Sequence, residues 1–321
     1  MRTIRWGIIG VGDVTEVKSG PAFQKAEHSA LVAVMRRHAD RARDYAERHN
    51  VPQWYDNADA LINDPNVDAV YIATPPDFHA EYTYRVAGAG KPVYVEKPMA
   101  RTVSECRSMI DACAHVPLFV AYYRRALPRF LKIKELLDAG TIGDIRHVHI
   151  TLIKPPDPSL DPQHLPWRVL PDVAGGGLFV DLAAHTLDFL DYALGPIRSA
   201  CGYASNQARL YPADDIVSGS FVFESGVQGT GFWCFTGFQS VDQTDIIGSA
   251  GQISFSTFDT SPIRLQTSSG YAEFAIDHPP HIQQPLIQLI VNDLNGLGPS
   301  PSTGETAART TWVMDQIMQK R

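Results

Sequence analysis

At 321 residues the chain exceeds one ordinary domain, and two are expected. Hydrophobic content of 44% against 20% charged is that of a soluble globular protein. A net charge of −7 excludes a general attraction to nucleic acid or anionic membrane, and no apolar run approaches the ~20 residues that span a bilayer.

Met1-Arg2-Thr3 leads straight into the apolar run Ile4–Ile9, which leaves no room for a signal peptide and sets the expectation of a cytoplasmic protein. Further apolar runs stand at Ala30–Met35, Val67–Ala73, Pro92–Val95 and Leu118–Ala121. Helical patterns fill the gaps at Ala39–His49, Ala58–Asn63, Ala80–Gly90 and Ser104–Ala114. Short apolar strands alternating with amphipathic helices predict parallel βαβ units, with both sheet faces covered. A helix over Arg129–Ala139 stops at Gly140, and a strand follows at Ile145–Ile153. The Pro-rich stretch Lys154–Val173 reads as a long loop. Gly175-Gly176-Gly177 then opens a helix over Phe179–Tyr192. Closely spaced strands at Ile197–Ala204, Ile216–Phe223, Gln228–Phe235, Asp242–Gly248 and Gln252–Phe255 predict an antiparallel sheet. Helices over Gln283–Asn295 and Glu305–Lys320 close the chain. The change of pattern predicts an α/β protein of two domains, 1–121 and 122–321. Four cysteines without Cys-x-x-Cys spacing suggest neither a zinc ribbon nor a disulfide framework, so reduced thiols are expected.

The first strand empties into Gly10-Val11-Gly12-Asp13-Val14-Thr15. Gly-x-Gly at a first βα turn lets backbone approach a pyrophosphate, and the next helix start supplies amides. Thr15 stands where a third glycine is usual; its hydroxyl is expected either to bond a phosphate or to loosen the packing. The second strand ends in Arg36-Arg37-His38, with no carboxylate before Asp40. An acidic residue there would serve NAD, whereas a 2′-phosphate calls for a guanidinium, so NADP is expected, with NAD possible.

Lys97 lies in Glu96-Lys97-Pro98 at the end of the run Pro92–Val95. Proline after it disfavours helix, and the carboxyl end of a parallel strand faces a ligand crevice. A lysine there could polarise a carbonyl or pass a proton to an alkoxide. Asp181 and His185 share a helix face at i,i+4, with Asp188 close to that face. Such a pair could hold a hydroxyl and relay a proton. It could equally be a helix placing Asp181 at its N-terminus for dipole reasons. With no third ligand visible, no metal is expected.

Taken together, these segments resemble the Gfo/Idh/MocA oxidoreductases. The resemblance runs from Trp6-Gly7-Ile8-Ile9-Gly10-Val11-Gly12 through Ala73-Thr74-Pro75-Pro76-Asp77-Phe78-His79 and Glu96-Lys97-Pro98-Met99-Ala100. It continues at Trp167-Arg168 and over Gly175–His185. It implies a Rossmann domain followed by a substrate-binding α/β domain, whose large, open, mostly antiparallel sheet often mediates dimers or tetramers. It also implies that Lys97 is catalytic and touches both cofactor and substrate, with Glu96 beside it on the cofactor. Asp181 and His185 take the substrate side. Thr74, Pro75 and His79 line the cofactor, and Trp167 and Arg168 reach toward the nicotinamide. Tyr123 and Arg125 stand where the family often has Asn-x-Arg, so Tyr123 is a departure at a substrate-binding position.

The expected function is hydride transfer between a nicotinamide and a carbinol or carbonyl carbon of a sugar, polyol or related small molecule. One rival is a non-catalytic NADP-sensing regulator on the same fold, which retention of both Lys97 and His185 disfavours. Another is a metal-dependent hydrolase, which leaves the glycine turn and Lys97 unexplained. A homodimer or homotetramer is expected, because the runs between Ile197 and Phe255 put apolar residues on both sheet faces.

Overall fold

The computed structural model describes residues 1–319. The chain forms two compact units, one of Met1–Leu127 with Pro279–Ala308, the other of Pro128–His278 with the chain from Arg309 onward. This differs from the single cut expected near Ala121, because a late segment returns to the first unit.

In the first unit the order is β1 (Ile4–Ile9), α1 (Asp13–Val17), α2 (Gly20–Lys25), β2 (Ser29–Met35), α3 (Ala39–Arg48), β3 (Gln53–Tyr55) and α4 (Ala58–Ile62). Then come β4 (Ala69–Ile72), α5 (His79–Gly88), β5 (Val93–Val95), α6 (Val103–Ala112) and β6 (Leu118–Val120). The six strands are all parallel, in the order β3-β2-β1-β4-β5-β6. Order reverses beside β1, so the carboxyl ends of β1 and β4 flank a switch point, the usual ligand position in such sheets. Trp6, Phe23, Tyr71 and Tyr94 form an aromatic core, with centroids of Trp6 and Phe23 at 4.9 Å and of Tyr71 and Tyr94 at 4.8 Å. Asn57 and Thr102 accept amide hydrogen bonds at the starts of α4 and α6.

The second unit begins with α7 (Pro128–Asp138) and β7 (Ile145–Ile153). The proline-rich stretch is not wholly irregular: a 3₁₀ turn, Trp167–Val169, and the short α8 (Pro171–Ala174) lead into α9 (Leu178–Leu194). Strands β8 (Ile197–Ser205), β9 (Ile216–Phe223), β10 (Gln228–Cys234), β11 (Val241–Gly248) and β12 (Gly251–Phe255) match the expected runs closely. Two more, β13 (Ile263–Thr267) and β14 (Gly270–Phe274), extend the sheet. Its order is β14-β13-β12-β11-β7-β10-β9-β8, antiparallel throughout except for the β7–β10 pair.

One face of this sheet carries Val148, Ile150, Leu152, Phe221, Trp233, Ile246 and Phe255, all buried. Phe179 on α9 meets Trp233 edge-on at 5.0 Å, and Phe189 meets Phe255 at 5.7 Å. The opposite face is not the apolar surface that the sequence suggested. It mixes Phe232 with hydrogen-bonded polar residues, including His147 and His149, which both meet the Thr230 hydroxyl, and Gln243, which donates to Asp245. Alternation put apolar residues on this face in β9 and β10, but β7, β11 and β12 place polar ones there.

By length and composition alone, the stretch Pro171–Leu194, which runs through α8 and α9, reaches the measure of a membrane span, contrary to the expectation that no run would. Its window is 72% buried inside the protein, so its apolarity is that of a core helix surrounded on most sides.

Pro279–Ala308 brings α10 (Gln284–Leu294) to the first unit, where Ser302 Oγ donates to the carbonyl of Val120 at 2.7 Å. The last helix, α11, spans Gly304–Ile317; the end expected at Lys320 lies outside the described residues.

Candidate active site

Gly10 ends β1 at φ 94°, and a Cβ there would stand 2.7 Å from Cγ2 of Thr74. Only glycine lets the β1 and β4 turns approach so closely. Nothing lies within 4 Å of the Cβ position of Gly12, so the backbone beyond it is open to approach. Asp13 and Val14 follow as the first residues of α1, where amides have no helical carbonyl to bond. Open backbone with helix-start amides fits a pyrophosphate. Thr15 does not fulfil its expected part. Its hydroxyl donates to the Gly12 carbonyl at 2.8 Å and accepts the Gly12 amide at 2.9 Å, and the residue is fully buried. Nor does it loosen the packing, since its carbonyl accepts the Tyr45 hydroxyl at 2.7 Å. Thr15 shapes the turn from within.

Arg36 and Arg37 leave the end of β2. Arg36 Nη1 donates to the Val11 carbonyl at 3.0 Å, which holds its guanidinium over the glycine turn. Arg37 is exposed, and its guanidinium stacks 5.3 Å from the Phe78 ring centre. Arg36 therefore borders the glycine turn, and Arg37 the 3₁₀ turn after β4.

Thr74 and Pro75 lie between β4 and a 3₁₀ turn, Pro76–Phe78. His79 follows, fully buried. Its Nε2 is 2.8 Å from the Thr74 carbonyl, and its Nδ1 is 3.1 and 3.2 Å from the carbonyls of Pro98 and Met99. Burial pushes the imidazole below its ordinary pKa, against the pull of those carbonyls and of Glu96. His79 was expected to line the cofactor; instead it ties the β4 turn to the segment just after Lys97.

Glu96 is buried at the end of β5. Its carboxylate accepts the Tyr71 hydroxyl, the Gln283 side-chain amide at 2.6 Å and the Lys97 backbone amide at 3.1 Å. Burial, then this carboxylate, hold the Tyr71 phenol well above the usual tyrosine range. Glu96 thus acts from inside the fold and anchors the backbone of Lys97. Lys97 itself is half-buried, and its bond to Pro98 is cis. Tyr123 and Arg125 lie in a 3₁₀ turn, Tyr123–Ala126, both buried. Arg125 donates to the Pro301 carbonyl at 3.1 Å, which makes it an internal tie to the returning segment.

In the second unit, Gly175, Gly176 and Gly177 all have positive φ and bring the chain close to its neighbours before α9. A Cβ on Gly177 would stand 2.4 Å from that of Ala213. Asp181 lies in the first turn of α9, and His185, 5% exposed, one turn on. Arg168 Nε is 3.5 Å from Asp181 Oδ2, and the guanidinium stacks 4.5 Å over Trp167. Trp167, Arg168, Asp181 and His185 are therefore brought together. Asp188, one turn further along, is buried and accepts the Thr310 hydroxyl at 3.3 Å.

Sequence reasoning missed the surroundings of His185. Phe258, between β12 and β13, meets the imidazole edge-on at 5.8 Å, and Lys154 Nζ stands 5.6 Å from the same ring centre. No motif marks either residue. They lie 104 positions apart in a sequence of 321 residues, and only the sheet joins them.

Residues 4–123 match the family described as "Oxidoreductase family, NAD-binding Rossmann fold", and residues 130–254 match the GFO/IDH/MocA C-terminal domain. "Oxidoreductase P35" of Formosa agariphila is 41% identical over 315 residues, covering 97% of each chain. Trans-1,2-dihydrobenzene-1,2-diol dehydrogenase of Mus musculus is 32% identical over 72% of this chain and 68% of its own. A levoglucosan dehydrogenase solved in complex with NADH has the same fold, with TM-score 0.86 at 23% identity, over 98% of this chain and 95% of that one. With both of its domains matched, the chain belongs to the Gfo/Idh/MocA family and is an NAD(P)-dependent oxidoreductase.

Proposed function

We propose that the protein is an NADP-linked dehydrogenase or reductase acting on the carbinol or carbonyl carbon of a sugar, polyol or related small molecule, in the cytoplasm. The observation that carries the substrate side is the Asp181–His185 pair, with Arg168 on the Asp181 carboxylate. The sugar and diol dehydrogenases among the relatives support the substrate class.

A bound nicotinamide supplies or accepts the hydride. Asp13 and Val14 would hold the pyrophosphate through their amides, and Arg36 and Arg37 a 2′-phosphate. In the oxidation direction, Lys97 or His185 takes the hydroxyl proton as the C–H bond gives up its hydride; in reduction the same groups return a proton to the alkoxide oxygen. Asp181 accepts a substrate hydroxyl beside His185, one turn on along the same helix. Glu96 and His79 position the Lys97 segment. We propose further that the protein is a homodimer or homotetramer joined through the open face of the second sheet, where His147, Thr230 and Phe232 stay partly exposed.

The test is absorbance at 340 nm with NADP⁺ or NADPH against a panel of sugars, polyols and ketoses. Turnover of at least one member is expected. A panel with no turnover in either direction counts against the substrate class.

A further inference from the structure

Around His185, the second unit holds an ammonium that the proposed chemistry does not use. Lys154 closes β7: its amide donates to the Cys234 carbonyl at 2.8 Å, and its carbonyl accepts the Gly237 amide at 3.0 Å. Its backbone is thus fixed on both sides at a sheet end, and its side chain leaves from a defined point. The ammonium lies on the ring of Phe258, the ring that touches His185. Among the described residues no carboxylate pairs with it.

Phe258 is itself held in place. The Asp242 carboxylate accepts the amides of Thr257 at 3.1 Å and Phe258 at 2.7 Å, as well as the Ser256 hydroxyl. Thr257 Oγ1 meets Thr186 Oγ1 of α9 at 2.9 Å, which ties this loop to the residue after His185. The two carboxylates nearest in sequence to Phe258 and its anchor are engaged elsewhere, Asp242 as described and Asp259 with Ser261. An aromatic face attracts a cation but does not neutralise it, so the charge of Lys154 remains available to an anion.

We propose that Lys154, presented on Phe258, is a specificity-determining residue that receives the carboxylate of the substrate, and that the preferred substrates are polyhydroxy carboxylic acids. A single ammonium without a nest of amides suits a carboxylate better than a phosphate dianion, which calls for several donors. The proposal deepens the oxidoreductase reading above and rests on it.

The experiment uses the full chain with NADP⁺ and NAD⁺ and matched pairs: glucuronate with glucose, galacturonate with galactose, gluconate with glucitol. The readout is the ratio of kcat/KM for acid over neutral partner. A charge-assisted contact predicts a ratio of about tenfold or more for at least one pair. Lys154→Met, which keeps the apolar stem, should bring that ratio close to unity, and Lys154→Arg should preserve it. In the wild type, raising salt should lower the ratio; in Lys154→Met it should not. A wild type that oxidises neutral partners without preference for any acid overturns the role of Lys154 alone, as does an unchanged ratio in Lys154→Met. Turnover of no member of any pair overturns the sugar and polyol reading and this inference with it.

Discussion

Gln283 donates its side-chain amide to the Glu96 carboxylate at 2.6 Å across 187 residues of sequence, while its own carbonyl oxygen accepts the Tyr94 hydroxyl at 2.9 Å. The carboxylate that anchors the Lys97 amide is therefore completed by a residue of the returning segment. Gln283→Leu leaves a carboxylate oxygen and a buried phenol each short of a partner, and should destabilise the protein by about 1–3 kcal/mol. Urea denaturation measures this; a midpoint equal to the wild type would show that neither group depends on Gln283.

Arg36 borders the glycine turn, and Arg37, next to it at the end of β2, stacks on Phe78. Tighter binding of NADPH than of NADH is expected, and each Arg→Ala change should weaken NADPH binding by about 1.5–3 kcal/mol with little effect on NADH. Fluorescence titration of both cofactors decides the matter. Equal affinities in the wild type would count against a 2′-phosphate site.

Lys97→Ala should lower kcat by about 10²–10⁴ through loss of a positioned proton carrier. Its half-buried side chain contributes little to the core, so the thermal midpoint should hardly move. His185→Asn separates relay from packing, since asparagine keeps one hydrogen bond and carries no proton. Alcohol oxidation releases a proton and should rise with pH in the wild type. If His185→Asn keeps both the kcat and the pH profile of the wild type, His185 is a packing residue.

His79 sets a pH dependence of stability. Burial lowers its pKa in the folded protein from the ordinary 6.5, so the unfolded chain binds its proton first as pH falls. The stabilisation is complete above about pH 6.5 and is lost as pH falls through the folded value. Glu16, held at about 2 chiefly by hydrogen bonding with Arg48, acts in a separate and more acid window below 4.5. Melting temperatures between pH 7 and pH 5 should decline, and His79→Gln should flatten the decline. A His79→Gln profile parallel to the wild type would assign the slope to other groups.

Light scattering at micromolar concentration should report a homodimer or homotetramer, and Phe232→Glu should shift it toward monomer. A wild type that remains monomeric would show that the partly exposed polar face of the second sheet is its natural surface.

The parallel sheet was legible because β1, β2, β4, β5 and β6 are apolar on both faces, which gives unbroken runs. In β13 and β14, Arg264, Gln266, Tyr271 and Glu273 alternate with Ile263, Leu265, Ala272 and Phe274, but each strand is only five residues long and the pair lies at a sheet edge, so neither gives an unbroken apolar run. Helices α1 and α2 are short, with Ser19 before Gly20-Pro21 between them, too little for a helical period to emerge. At the site, side-chain identities such as Lys97, Asp181 and His185 were visible in their motifs. The ties made by main-chain carbonyls were not, because every residue carries one. His79 binds only carbonyls, and Thr15 turns back on its own loop, so neither role leaves a mark in residue type.

Finally, the first unit takes in Pro279–Ala308. A ribosome that has released Met1–Leu127 has therefore made a parallel sheet that still lacks α10, Gln283 and the Ser302 tie to β6. The nucleotide-binding half cannot finish folding before most of the chain has been synthesised. Its unfinished surface must be shielded through that interval, and a gene fragment ending at Leu127 should yield an aggregating product instead of a usable cofactor-binding module.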